Sequence, residues 1–429
     1  MNYSLEETGF LPADILLPKN QDLYRWSVVA CDQYTSEPDY WDKVKDIVGD
    51  APSTYHMVFP EIYLEKEGFD QRIEAINHTM KDYLERDIFQ EYPGCFLLVR
   101  RRQADGKIRN GLIGMVDLEQ YDFSRGSQTL VRATEGTVLE RIPPRVNIRK
   151  HALLELPHIM LLIDDPGQTV IEPLVKRAER YTQVYSTDLM LNGGHVAGYL
   201  VDQSDYQTIA SSLHRLADPE EFQRRYHRKD KGVLLFAMGD GNHSLATAKE
   251  CYQQLKEEIG EEAARRSPAR YALAELVNLH DDALEFEAIH RVVFGIDPQM
   301  LLIRLVEQFD ISVDSDGPGQ SFLCLYQGKQ HKITIKDPSS NLTVGTLQSF
   351  LDSYVAKYGG KIDYIHGTEV VKKLSDRKDC IGFILPDMKK EELFPTVVLD
   401  SALPRKTFSM GNAWDKRYYL ECRKIKIEA

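Results

Sequence analysis

The stretch from Lys231 to Lys249 constrains the fold most, because it passes from an apolar run through a polar turn into a helical pattern. Val233 to Met238 is continuously apolar and lies between Gly232 and Gly239, too short for a comfortable helix and suited to a strand buried on both faces. Gly239, Asp240, Gly241, Asn242, His243 and Ser244 then form an abruptly polar turn. From Leu245 the apolar positions Leu245, Ala248, Tyr252, Leu255 and Ile259 trace one helix face, and Gly260 supplies a stop.

A helix that begins just after glycine-containing turn residues presents unpaired backbone N–H groups and the positive end of its dipole. Such a start suits an anion, phosphate above all. The turn also carries a carboxylate for a proton or a metal (Asp240), an amide (Asn242), an imidazole (His243) and a hydroxyl (Ser244). The same residues equally make a plain N-cap and tight turn, and the two readings stand side by side.

Composition limits what such a site can serve. With 429 residues, 42% hydrophobic and 28% charged, the chain is that of a globular protein with ample material for a core. No apolar run approaches the roughly 18 residues of a membrane span, and the start, Met1-Asn-Tyr-Ser-Leu-Glu-Glu, is not a cleavable signal, so a cytoplasmic location is expected. A net charge of -13 argues against general binding to nucleic acid or an anionic membrane. The six cysteines show no paired metal-ligand spacing and are expected as reduced thiols.

The remaining chain reads as a mixed α/β fold. A strand ending at Cys31 leads into Asp32, Gln33, Tyr34 and Thr35, a polar cluster at a strand end. Phe69 to Leu84 is helical, Phe96–Val99 and Asn110–Asp117 form a hairpin, and Leu156–Asp165 reads as a strand. Leu130 to Arg149 concentrates Arg132, Glu135, Arg141, Arg145 and Arg149 around a Pro143-Pro144 break, a setting for arginine recognition of anions. Residues 297–340 read as a peripheral insertion with a β-hairpin, and Asp363–Gly367 as a polar loop. Leu403–Phe408 adds Arg405, Lys406 and Thr407 as a second anion contact. One family-wide unit is expected, with sub-lobes at 1–125, 126–296, 297–340 and 341–429, the last returning to the core.

In this order the features resemble a family known as domain of unknown function 1015, over nearly the whole chain. Its D-G-H-H-R-Y-x-x-A segment corresponds to Asp240-Gly-Asn-His-Ser-Leu-Ala-Thr-Ala248, with Asn242 for the first His and Ser244 for the Arg. Its P-Y-D-V-I segment is similar to Ala30–Tyr34, keeping Asp32; its R-x-H-E-x-T segment to Arg132–Thr137, with Thr134 for His; and its M-P-x-K-S-T segment to Leu403–Thr407. The Gly241-x-His243 turn also resembles one in the ParB and sulfiredoxin fold, which includes free-serine kinases and where the turn contacts nucleotide phosphate.

Read from these residues, the chain is expected to be a phosphate- or nucleotide-dependent enzyme acting on a small molecule, either a kinase-like phosphotransferase or a phosphoesterase. Gly241, Asn242, His243 and Ser244 would hold phosphate, with Arg132, Arg145, Lys406 and Thr407 around it. Asp240 would bind magnesium, and Asp32, Glu135, Asp240 and His243 are the candidate catalytic groups. The alternatives are a nucleotide or small-molecule sensor without turnover, and a scaffold in which the turns are only turns.

Overall fold

The apolar runs of the sequence become neighbouring strands. The protein, described here from a computed structural model over residues 3–137 and 139–426, divides into two units: residues to Leu284 together with those from Asn412, and Glu285–Gly411.

The first unit is built on a ten-stranded mixed sheet: β1 (Phe10–Leu11), β2 (Leu97–Arg102), β3 (Ile108–Asp117), β4 (Tyr121–Asp122), β5 (Val131–Arg132), β6 (Met160–Ile163), β7 (Thr182–Asp188), β8 (His195–Leu200), β9 (Phe236–Asp240) and β10 (Tyr271–Asn278). Their order in space is β7-β8-β2-β3-β10-β6-β9-β5-β4, with β1 against β3. The pairs β6/β10, β5/β9 and β4/β5 are parallel and the other pairs antiparallel. Leu161, Leu162, Ile163, Phe236, Ala237 and Met238 are all fully buried, which is why these central strands read as unbroken apolar runs.

Five principal helices pack in this unit: α1 (Pro38–Val48), α2 (Phe69–Glu85), α3 (Ile142–Lys150), α4 (Tyr206–Leu216) and α5 (Asn242–Ile259). The amphipathic spacing is realised in α2, which buries Ile73, Ile76, Met80 and Tyr83, and in α5, which buries Leu245, Ala248 and Tyr252.

Three local differences from the sequence reading have physical causes. The strand expected from Val233 begins at Phe236 and runs through Asp240, because the Gly232 and Val233 carbonyls accept from Arg132 instead of joining a ladder. The Pro143-Pro144 pair does not break the chain but sits in the first turn of α3, where a missing N–H costs nothing. Helix α5 starts at Asn242, inside the polar turn.

The second unit carries β11 (Phe286–Phe294), β12 (Ile311–Val313), β13 (Gln320–Tyr326), β14 (Lys329–Ile335), β15 (Lys361–His366), β16 (Cys380–Ile384) and β17 (Phe408–Met410), with α6 (Pro298–Gln308), α7 (Thr343–Tyr358) and α8 (Thr368–Ser375). Its sheet runs β12-β14-β13-β16-β11-β15, and β17 pairs with the start of β11. The β13–β14 hairpin lies within this sheet. Asp363–Gly367, read as a polar loop, falls mostly in β15, an edge strand whose exposed polar side chains hid its pairing with β11.

From Asn412 the chain re-enters the first unit and joins its core. Leu16 N–H donates to the Cys422 carbonyl at 2.8 Å, Ala30 N–H to the Arg417 carbonyl at 2.9 Å, and the Trp26 indole to the Leu420 carbonyl at 3.0 Å. Arg417 meets Glu275 at 2.5 Å and also Glu421, all three buried. Burial alone would raise the Glu275 pKa, but the guanidinium groups of Arg109 and Arg417 hold it below the ordinary range. No helix among the described residues is long and apolar enough to cross a membrane.

Candidate functional site

The site grows from the end of β9. A register shift between Met238 and Asp240 marks a bulge, and a Cβ on Gly239 would come within 2.9 Å of Leu162. Gly241 follows in the left-handed region at φ 79°, with an added Cβ placed 3.0 Å from the Ile159 Cα. Glycine at this position turns the strand sharply into α5. As at any helix start, the first N–H groups have no carbonyl one turn back.

Asp240 is half-buried and 3.2 Å from the Lys416 ammonium, and its carboxylate also accepts the Gly241 N–H at 2.9 Å. Burial pushes its pKa up, yet the Lys416 ammonium, with the Gly241 N–H, outweighs burial and holds the carboxyl below its usual range. Among the described residues no three His, Cys, Asp or Glu side chains converge as metal ligands. In this structure Lys416 supplies the positive charge beside Asp240.

Ser244, in the first turn of α5, opens a relay into the interior. Its Oγ is 2.9 Å from His158 Nε2; His158 Nδ1 is 2.6 Å from the Tyr419 hydroxyl, which accepts the Cys31 N–H at 3.1 Å. Two proton arrangements satisfy this chain. In one Tyr419 donates to Nδ1 and Nε2–H donates to Ser244; in the other Nδ1–H donates to Tyr419 and Ser244 donates to Nε2. The second makes His158 an acceptor for the serine proton, the first requirement of a general base. Burial, followed by the Asp32 and Glu61 charges, pushes the Cys31 thiol well up, so it is a neutral thiol at pH 7.

The structure gathers some of the sequence-selected residues and separates others. Thr134 donates to the Met238 carbonyl at 2.8 Å and lies 3.5 Å from the Asn242 amide, and Glu135, which follows it, is half-buried. Asp32 adjoins Cys31 at the far end of the relay and accepts from the Gln33 amide at 3.0 Å. Arg145 lines the same cavity as Cys31 and Ser244, but its guanidinium is paired with Glu61 and the Arg141 carbonyl. His243, half-buried, begins α5 with its carbonyl accepting from Thr247 at 2.7 Å.

Arg132 faces the opposite end of β9. It is buried, and its guanidinium bonds the Thr129, Gly232 and Val233 carbonyls at 2.9, 2.5 and 3.1 Å, a packing role that leaves it turned from the Asp240 end. Lys406 and Thr407 belong to the second unit. There the Lys406 carbonyl accepts from Arg291 at 2.9 Å while its side chain is exposed, and the buried Thr407 hydroxyl donates to the Pro404 carbonyl at 2.6 Å.

His158, Tyr419 and Lys416 were not selected from sequence. His158 stands among apolar residues in Leu156-Pro-His-Ile, and Lys416 and Tyr419 lie far along the chain from the turn. The mixture of charged and aromatic residues in Trp414-Asp-Lys-Arg-Tyr-Tyr419 was the available signal.

A family model described as a protein of unknown function, DUF1015, matches residues 11–354. The chain belongs to that family. The match takes in β2 to β10, the turn and the first part of the second unit. No curated protein matches the chain. Among solved structures, this DUF1015 protein is similar to a free serine kinase E30A mutant in complex with ADP, at 11% identity and a TM-score of 0.38, covering 75% of this chain and 93% of that one. It is also similar to a conserved hypothetical protein from Pyrococcus furiosus (12% identity, TM-score 0.35, 73% and 94% covered). SbnI from Staphylococcus aureus, truncated at its C-terminus, matches at 8% identity and a TM-score of 0.35, covering 70% and 82%. These likenesses are loose, and the functional reading rests on the chain's own residues.

Proposed function

We propose that the β9–α5 turn binds the phosphate of a nucleotide or small phosphorylated molecule, and that the protein is a kinase-like phosphotransferase or a phosphoesterase. The observation that carries this reading is the turn itself. Gly241 in the left-handed region brings backbone close, α5 opens with amide donors and a favourable dipole, and Ser244 stands at that start on the relay to His158.

Phosphoryl transfer asks a protein mainly for positioning and charge neutralisation. In this reading the α5 amides hold phosphate, Lys416 supplies the cation, and His158, Asp240 and Glu135 are the groups available for proton movement. The side chains of Asn242 and His243 border the bound phosphate. Without turnover the same cleft is a nucleotide sensor, and that is the second reading, favoured by Asn242 and Ser244 standing where the family pattern has His and Arg.

The test is a thermal-shift titration with ADP, ATP and inorganic phosphate, each with and without magnesium, on wild type, His243→Ala and Ser244→Ala. Wild type is expected to be stabilised by a nucleotide, by about 2.7 kcal/mol at a hundred times Kd. Both variants are expected to lose most of that response. Absence of any shift with all three ligands overturns the phosphate site. ³¹P NMR with candidate acceptor alcohols then separates enzyme from sensor.

A further inference from the structure

Beside Ser244 the first unit holds a partly open cavity of about 150 Å³. Its wall comes from elements distant in sequence: Ile76 and Met80 of α2, Ile148 of α3, Leu154, Leu273 of β10 and Phe59. The wall also holds charges, but they close on one another. Arg145 pairs with Glu61, and Arg149 meets Glu155 at 2.6 Å. The cavity is therefore lined mostly by apolar surface, with these four charged side chains paired. Ser244 and Thr247, one turn apart on the same face of α5, bring the cavity against the start of that helix.

Unfilled space of this size against buried side chains leaves their atoms without contacts that an apolar occupant would provide. An apolar space gives water too few partners to fill it stably, whereas a hydrocarbon group needs none. A cavity of about 150 Å³ lined by aliphatic and aromatic side chains accommodates a benzene-sized group, so about six carbons fit here.

We propose that this cavity seats the apolar portion of a small anionic molecule, a carboxylate or phosphate ester bearing about six carbons, whose head lies against Ser244 and the start of α5. The placement of the head rests on the phosphate-site reading above; the placement of the hydrocarbon does not. In the phosphotransferase reading this group belongs to the second substrate, which is then selected by an aliphatic or aromatic group and not by polarity alone.

Hexanoate is the probe, with acetate and hexanol as controls, read by thermal shift and saturation-transfer NMR on the full chain. Hexanoate is expected to bind and acetate not to. Ala152→Leu, which adds bulk to the wall, is expected to weaken hexanoate about ten-fold or more, the factor represented by two excluded methylene groups, with the ADP response unchanged. Met80→Ala, which enlarges the cavity, is expected to shift the preference from hexanoate to octanoate. If Ala152→Leu fails to fold, the Met80→Ala preference decides.

No hexanoate binding to wild type, or binding indifferent to both substitutions, overturns the cavity assignment. Hexanol binding as tightly as hexanoate overturns the placement of the head. Hexanoate binding without an ADP response retains the cavity and fails the nucleotide reading; an ADP response without hexanoate does the reverse.

Discussion

The chemistry of the turn depends on which charge faces Asp240. Burial opposes ionisation there, and the adjoining Lys416 ammonium reverses the balance so that the carboxyl titrates below its usual range. A depressed folded-state pKa contributes stability that is present above the unfolded value of about 3.9 and is lost as pH falls through the lower folded value. Replacing Lys416 by Met removes the main opposing charge and leaves burial in control. Carboxyl ¹³C titration is therefore expected to place Asp240 below about 3.9 in wild type and above it in Lys416→Met. An Asp240 titration that ignores the substitution would show that the pair does not form in solution. The same exchange identifies the functional cation: if Lys416 neutralises bound phosphate, Lys416→Met loses nucleotide affinity as well.

At the scale of the element, the strand-turn-helix depends on Gly241. An alanine there carries the cost of the left-handed backbone and a Cβ 3.0 Å from the Ile159 Cα, a main-chain atom that cannot swing aside. Gly241→Ala is expected to destabilise the protein by about 1–3 kcal/mol and to abolish the nucleotide response. Urea denaturation reads the first effect as a lower midpoint with unchanged slope, and thermal shift reads the second. This element was legible in the sequence because both its signals are local: the apolar run Val233 to Met238 and the helical spacing from Leu245. The edges were less legible. The Gly232 and Val233 carbonyls go to Arg132, about a hundred residues away in sequence, and no local pattern reports that. For the same reason Arg132 read as a ligand arginine, whereas its charge and loop-like setting serve three carbonyls. The relay was hidden in a different way. His158, Ser244 and Tyr419 lie on separate segments, and only the return of the chain from Asn412 puts the tyrosine on the histidine.

At the scale of the whole molecule, the second unit begins and ends on adjacent strands. Phe286 of β11 is the register partner of Met410 of β17, so the segment Glu285–Gly411 leaves and re-enters at nearly one place. A segment with such neighbouring ends can be removed and bridged by a short flexible link without stretching what is left. The turn, the relay and the cavity wall all lie in the first unit, including Lys416 and Tyr419 from the returning tail. The second unit buries Val293, Phe322, Leu347, Phe350, Ile381 and Phe383 of its own. A variant in which a Gly-Ser link replaces 286–410 is therefore expected to keep the first unit folded, with the NMR resonances of Gly241 and Ser244 near their wild-type positions. The hexanoate response should also survive, because every wall residue is present. The ADP response is the informative arm. Its retention confines the phosphate site to the β9–α5 turn and Lys416. Its loss, with the fold and the hexanoate response intact, assigns part of nucleotide binding to the second unit, where Lys406→Ala in the full chain is the single substitution to try first.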